Sequence, residues 1–133
     1  MKSRTTQDKI TNLAPQEVFI FGSNEAGIHG AGAAKTALKW GAKMYQGVGM
    51  SGQTYAIPTK DFNIKSLDLV YIKEYIEDFI GWAERHPENT FLVTEIGCGL
   101  AGFTPEQIAP MFRRAKNIEN IHLSKRFWEI LNN

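Results

Sequence analysis

Short apolar runs alternate along the chain with segments whose apolar residues repeat at helical spacing. Val18–Phe21 ("VFIF") and Thr90–Ile96 ("TFLVTEI") are rich in β-branched and aromatic residues, which is typical of strands buried on both faces of a sheet. Thr54–Pro58 ("TYAIP") predicts another short strand, which we expect the proline to end. A last short strand is expected near Ile121–Leu123.

The segments between these strands predict helices. Ala31–Trp40 ("AGAAKTALKW") contains good helix formers and is followed by Gly41 as a C-terminal stop. Ser66 is the expected N-cap of a long amphipathic helix that ends before Pro87.

Two capping signals predict the remaining helices. In "TPEQ", Thr104 is an N-cap, proline occupies the first helical position and Gln107 completes a capping box, so a helix is expected to about Ala115. Ser124 is expected to start the last helix. Alternating strands and helices predict an α/β fold in three layers, with helices on both faces of a mixed sheet.

Composition and charge narrow the functional classes. A chain of 133 residues fits a single domain, 1–133, in which the polar residues 1–9 are expected to form a loose tail. With 15 basic and 14 acidic residues, the chain shows no strong signal for nucleic-acid binding. It also lacks a signal-peptide pattern and a membrane-length apolar segment, and its one cysteine excludes an internal disulfide. We therefore expect a cytoplasmic protein without a membrane partner.

Two glycine-rich loops each follow a predicted buried strand and lead into a predicted helix. They are "GSNEAGIHGAG" (22–32) and "GCGLAGF" (97–103). Glycine allows the backbone to approach a ligand closely, and the N–H groups at a helix start attract phosphate. In an open α/β sheet both loops would face one crevice. The spacing matches neither G-x-G-x-x-G nor a P-loop, and the alternative is that the glycines serve only close packing of helix on sheet.

These two loops together resemble the macro domain, an α/β module that binds ADP-ribose. The resemblance covers residues from about 18 to about 112, and it implies a macro-domain-like fold and a nucleotide partner. It implies that Asn24 contacts the distal ribose and that Gly30 and Gly32 belong to the glycine loop. The expected phosphate loop consists of Gly97, Cys98, Gly99, Leu100 and Ala101, with Gly102 and Phe103 as further ligand-binding candidates. Asp8 is only a loose match to the acidic residue that reads adenine.

The segments "YAIPTKD" and "IGCGL" are most similar to the terminal ADP-ribose glycohydrolase branch of that family. In this branch a lysine attacks the distal ribose and an aspartate transfers protons. Lys60 occupies the position of the lysine, whereas Ala101 occupies the position of the aspartate. Asp61 and Glu95 are the nearest carboxylates in sequence that could replace it. Lys60 is therefore either a catalytic nucleophile, a ligand contact or a solvated side chain.

Other residues admit two interpretations. His29 could stack on a base or donate to phosphate, or be an exposed loop histidine without a function. Cys98 could be a reactive thiol or a small buried loop residue. Tyr45 and Phe103 are either walls of a site or core aromatics. The histidines show no metal-ligand spacing, and nothing in the sequence calls for a metal or cofactor.

Three functions remain open at this point. The first is a protein that binds free ADP-ribose, a related nucleotide or an ADP-ribosylated protein without turnover. The second is an ADP-ribosyl hydrolase with Lys60 in its site. The third is an interaction protein that keeps the fold with a degenerate pocket. Ala101, in the position of the aspartate, is the feature that distinguishes binding from hydrolysis. The presence of both glycine-rich loops argues against an interaction protein with a degenerate pocket.

Overall fold

A computed structural model describes residues 3–133 as an α/β fold built on a six-stranded mixed sheet. The strand order is β1-β6-β5-β2-β4-β3, and every neighbouring pair is parallel except β3 and β4. The strands are β1 (Thr5–Thr6), β2 (Glu17–Asn24), β3 (Gly49–Ser51), β4 (Thr54–Lys60), β5 (Thr90–Val93) and β6 (Ile121–Ser124).

Four α-helices and two 3₁₀ segments connect the strands. The helices are α1 (Gly32–Ala37), α2 (Leu69–Glu84), α3 (Pro105–Ile108) and α4 (Lys125–Leu131). The 3₁₀ segments, Leu38–Trp40 and Ala109–Asn117, extend α1 and α3. No helix within residues 3–133 is long and apolar enough to cross a membrane.

The sheet is covered on both faces, as the apolar runs predicted. Along β2, Val18 and Ile20 belong to one hydrophobic cluster, and Phe19 and Phe21 belong to the other. Because successive side chains of a strand point to opposite faces, the two clusters lie on opposite sides of the sheet. The larger cluster includes residues of α2, the second 3₁₀ segment and α4, and the smaller one includes residues of α1. Helices therefore cover both faces of the sheet, which gives the three layers expected from the sequence.

Three of the four predicted capping or stop signals are confirmed. Gly41 ends the first helical segment with φ 106°. The Thr104 hydroxyl accepts from the Gln107 amide, and the Gln107 side chain accepts from the Thr104 amide, forming the capping box. The Ser124 hydroxyl caps α4 by accepting from the Phe127 amide. The helix expected to continue to about Ala115 does so only as 3₁₀ turns after Ile108.

Four predicted boundaries are wrong. The strand expected to end at Phe21 continues to Asn24. The strand expected to end at Pro58 continues to Lys60. Because β3 pairs with β4 only as far as Ala56, Pro58 has one strand partner, and its missing N–H is tolerated there. Ser66 does not cap α2, whose N-cap is Asp68. The strand expected to reach Ile96 ends at Val93.

The prediction of a loose tail over residues 1–9 is wrong for residues 4–6, whereas Met1 and Lys2 lie outside the described residues. Thr5–Thr6 pairs with β6. The Arg4 guanidinium donates to the carbonyl oxygens of Ala115, Lys116, Ile118 and Ile121 at 2.6–3.2 Å. It also lies over the Trp128 ring, 4.9 Å from the centroid. These contacts hold the start of the chain against the sheet edge.

Candidate functional site

A cavity of about 370 Å³ lies where β2, β4 and β5 end. Sites for small molecules typically enclose about 300–1,000 Å³. Its walls come from the ends of the three strands and from both glycine-rich loops. The lining residues are Gly22, Ser23, Asn24, Ile28, Gly30, Ala31, Gly32, Ala33, Ala34, Thr59, Lys60, Ile64, Thr94, Glu95, Ile96, Gly97, Gly99, Leu100 and Ala101.

Both loops bring backbone donors to this cavity. Among residues 3–133, no protein acceptor bonds the amide N–H groups of Gly30 and Ala31 in the first loop, or those of Gly99, Leu100 and Ala101 in the second. These five residues all line the cavity. Clustered free N–H groups favour an anionic ligand, because such groups must otherwise be satisfied by water. The cavity is therefore suited to a phosphorylated molecule.

The glycines of the two loops differ in what they permit. At Gly27 a side chain would overlap the backbone, because a Cβ atom would lie 2.4 Å from the Gln46 nitrogen. At Gly30 and Gly99, by contrast, a Cβ atom would meet no atom within 4 Å. Close packing therefore requires glycine at position 27, but against the backbone of the loop at Tyr45 and Gln46 and not between a helix and the sheet. No neighbouring atom requires glycine at positions 30 and 99.

Asn24 shapes the first loop. Its Oδ1 accepts from the Ile28 amide at 2.9 Å and its Nδ2 donates to the Ile28 carbonyl at 2.8 Å. Asn24 lines the cavity, although only 7% of the residue is exposed. An amide has two N–H donors and two acceptor lone pairs, so each end keeps capacity for a ligand. Asn24 thus fixes the loop in addition to facing the cavity.

A β-bulge brings Lys60 to the cavity. The register between β2 and β4 shifts after Ser23, so that Pro58 faces Ser23 while Lys60 faces Asn24. Bulges of this kind redirect side chains next to functional sites. Beyond Lys60, the Ser66 hydroxyl donates to the Ala101 carbonyl at 2.7 Å. Ser66 therefore ties the segment after Lys60 to the second loop.

The two carboxylates considered as substitutes for the aspartate have different environments. Asp61 closes its own turn, because its Oδ1 accepts from the Asn63 and Lys65 amides at 2.8 and 3.0 Å, and it does not line the cavity. Glu95 does line the cavity, and Arg126 and Ser124 bond its carboxylate. Chiefly the Arg126 hydrogen bond holds the pKa of Glu95 below its ordinary value, against the effect of burial. A carboxylate held ionised in this way is a poor proton donor.

A second cavity, of about 350 Å³, adjoins the first and shares Ala33, Thr94 and Glu95 with it. Residues 6–11, from the last residue of β1 onward, form one wall, and Phe19 on β2 contributes to another. Asp8, a candidate ligand-contacting residue from the sequence, lies in the first of these walls. Two adjacent cavities with shared lining residues suit a ligand that has two chemically different parts.

Several predicted site residues do not line the first cavity. They are His29, Cys98, Gly102, Phe103 and the candidate wall Tyr45. His29 is buried beneath the loop, where its Nε2 contacts the Gln46 carbonyl at 3.1 Å and its ring meets Phe21 edge-on. Phe103 packs against the core, whereas Tyr45 is 80% exposed.

Cys98 is half-buried, and burial raises the pKa of its thiol to about 11, with a further contribution from Glu95. The thiol is therefore protonated near neutral pH, which argues against a nucleophilic role. This agrees with the interpretation of Cys98 as a small loop residue.

Sequence reasoning missed other lining residues, including Thr59, Ile28 and Ile64. Thr59 lies in the bulge, where its hydroxyl donates to the Ser23 carbonyl at 3.4 Å. The only sequence signal for Thr59 was the polar pair Thr59–Lys60 directly after Ile57 and Pro58. Ile64 has φ 61°, a rare conformation for a β-branched residue that no local pattern predicts.

Comparison with known proteins gives no relative. No protein-family model, curated protein or solved structure matches the chain.

Proposed function

We propose that this chain binds ADP-ribose or a closely related nucleotide in the two adjoining cavities. The observation that carries the proposal is that, among residues 3–133, both glycine-rich loops contribute lining residues to the first cavity whose amide N–H groups have no protein acceptor. The resemblance of the same loops to the macro domain names the ligand class. A second cavity beside the first supports a ligand that is larger than a phosphate group alone.

Each part of the ligand has a proposed place. The diphosphate lies against the amides of Gly99, Leu100 and Ala101, and the distal ribose lies near Asn24 and Lys60. The nucleoside enters the second cavity, where Asp8 is the candidate acceptor for an exocyclic amine. This placement uses the free donors for anionic oxygens and the apolar surface of Phe19 for the base.

Thermal unfolding of the full chain with ADP-ribose, NAD, ADP and AMP tests the proposal. A ligand that binds only the folded state raises its stability by about 2.7 kcal/mol at a hundred times its Kd. We expect the largest increase in melting temperature with ADP-ribose, a smaller one with ADP, and the smallest with AMP. Unchanged melting curves at millimolar concentrations of all four compounds would reject the proposal.

A glycine variant tests the location of the site. Gly99→Val places a side chain where no protein atom lies within 4 Å, so we expect a folded protein whose ADP-ribose affinity falls at least about tenfold. Gly81→Ala on α2 is the matched control, because its Cβ atom would meet only the flexible end of Arg85 at 3.4 Å. If Gly99→Val binds as tightly as the control, the second loop is not the phosphate cradle.

Hydrolysis of an ADP-ribosyl bond is the second candidate function. It is favoured by the presence of Lys60 in the same cavity. It is disfavoured because Ala101 supplies no carboxylate, Asp61 is absent from the cavity wall and Glu95 is held ionised. Cleavage needs a group that moves protons, so binding without efficient turnover is the better-supported function. An ADP-ribosylated protein is then a further proposed partner.

A further inference from the structure

Glu95 stands at the boundary between the two cavities and lines both of them. Its Oε2 accepts from the Ser124 hydroxyl at 2.8 Å and from the Arg126 Nε at 3.1 Å. Its Oε1 accepts from the Arg126 Nη2. The carboxylate is therefore fixed from the side of α4, and only a quarter of its side chain is exposed.

A fixed carboxylate between two ligand compartments has a definite chemical preference. Its two oxygens offer about four acceptor positions, of which the protein uses three. The remaining position can accept a hydroxyl group of a ligand, whereas a phosphate group placed there would meet like charge. The hydrogen bonds that lower the pKa of Glu95 keep this charge in place at neutral pH.

We propose that Glu95 restricts the ligand to nucleotides whose base-proximal ribose has an unsubstituted 2′-hydroxyl, and that it excludes 2′-phosphorylated nucleotides. The inference rests on the proposed function: a diphosphate in the first cavity and a base in the second put the connecting ribose beside Glu95. A carboxylate that accepts from ribose hydroxyls is a general device for choosing between 2′-hydroxyl and 2′-phosphate nucleotides.

Arg126 offers the opposing possibility, because an arginine can bind a 2′-phosphate. Its Nε and Nη2 are both engaged by Glu95, and among residues 3–133 it contributes to the lining of neither cavity. The guanidinium thus faces the ligand compartments only through the carboxylate. At Glu95 this geometry favours recognition of a hydroxyl group over a phosphate group, and the cations that line the second cavity are Lys9 and Lys39.

Calorimetric titration of the full chain with ADP-ribose and with 2′-phospho-ADP-ribose tests the inference. We expect the wild type to bind ADP-ribose at least about tenfold more tightly, since like charges at close range are strongly unfavourable. Glu95→Gln keeps the shape and an acceptor but removes the charge, so the two affinities should come within about threefold. Glu129→Gln, at an exposed position of α4, is the matched control and should retain the wild-type ratio.

The outcomes separate the two proposals. Failure of both compounds to bind rejects the proposed function and this inference with it. If ADP-ribose binds and the 2′-phosphorylated compound binds equally well or better, the proposed function stands and the role of Glu95 is wrong. The wild-type comparison alone decides this, even if Glu95→Gln does not fold. A ratio that stays unchanged in a folded Glu95→Gln protein would also overturn the assignment to Glu95.

Discussion

Alanine substitutions at Gly27 and Gly30 should separate stability from binding within a single loop. Gly27 has φ 71°, and a Cβ atom there would lie 2.4 Å from both the Gln46 nitrogen and the Tyr45 carbonyl carbon. Gly30 lies outside the left-handed region, and a Cβ atom there would have no neighbour within 4 Å. The two substitutions add the same methyl group three residues apart, in opposite surroundings.

The magnitudes follow from these geometries. At Gly27 the left-handed conformation costs about 1–2 kcal/mol for a residue with a Cβ atom, and displacement of packed backbone costs about 1–3 kcal/mol more. A total of about 3 kcal/mol corresponds to a fall in melting temperature of roughly 10 °C for a chain of this size. Gly30→Ala should unfold within about 2 °C of the wild type, because alanine also restricts the unfolded chain. It should nevertheless weaken ADP-ribose binding about tenfold by crowding the cavity.

Two measurements on each variant check this prediction. Calorimetric unfolding without ligand gives stability, and titration with ADP-ribose gives affinity. Equal stability of Gly27→Ala and wild type would refute the packing argument. A Gly30→Ala protein that is as unstable as Gly27→Ala, or that binds ADP-ribose with undiminished affinity, would refute the claim that Gly30 leaves room for a ligand.

Three further predictions follow from the sheet edge and the cavity. Arg4→Ala removes the donors to four carbonyl oxygens and should lower the free energy of unfolding by about 3 kcal/mol, measured by urea titration. Wild-type protein should release little ADP-ribose from a glutamate-modified substrate, whereas Ala101→Asp should raise release about 10²- to 10⁴-fold in a Lys60-dependent manner. Robust wild-type release that Lys60→Ala abolishes would contradict the binding function. Folding lowers the pKa of Glu95, so its contribution to the free energy of unfolding should be complete above about pH 4.3 and be lost as the pH falls through the folded pKa. Glu95→Gln should therefore make the free energy of unfolding less dependent on pH in this acidic range.

Features that depend on neighbouring residues could be predicted from the sequence. The capping box at Thr104, the N-cap Ser124 and the left-handed Gly41 are local hydrogen bonds or backbone conformations, and all three are confirmed. The positions of the longer strands along the chain could also be predicted, because β-branched runs between glycines are typical of buried strands. The meeting of the two loops followed from the general rule for open α/β sheets.

Features that depend on contacts between distant segments could not be predicted. Arg4 bonds carbonyl groups more than a hundred residues away, so the first residues looked like a tail. His29 looked like an exposed loop residue, but its ring is buried against Phe21 and the Gln46 carbonyl. Glu95 was a candidate by sequence position only, and its partner Arg126 lies 31 residues further along the chain.

Nuclear magnetic resonance of the ¹⁵N-labelled chain during titration with ADP-ribose tests the central claim most directly. The claim is that both loops hold one ligand through their free amide N–H groups. We expect the amide signals of Gly30, Ala31, Gly99, Leu100 and Ala101 to shift together along one binding curve, with little change on the exposed face of α2. Shifts in only one loop, separate curves for the two loops, or no shift at saturating ADP-ribose would contradict it.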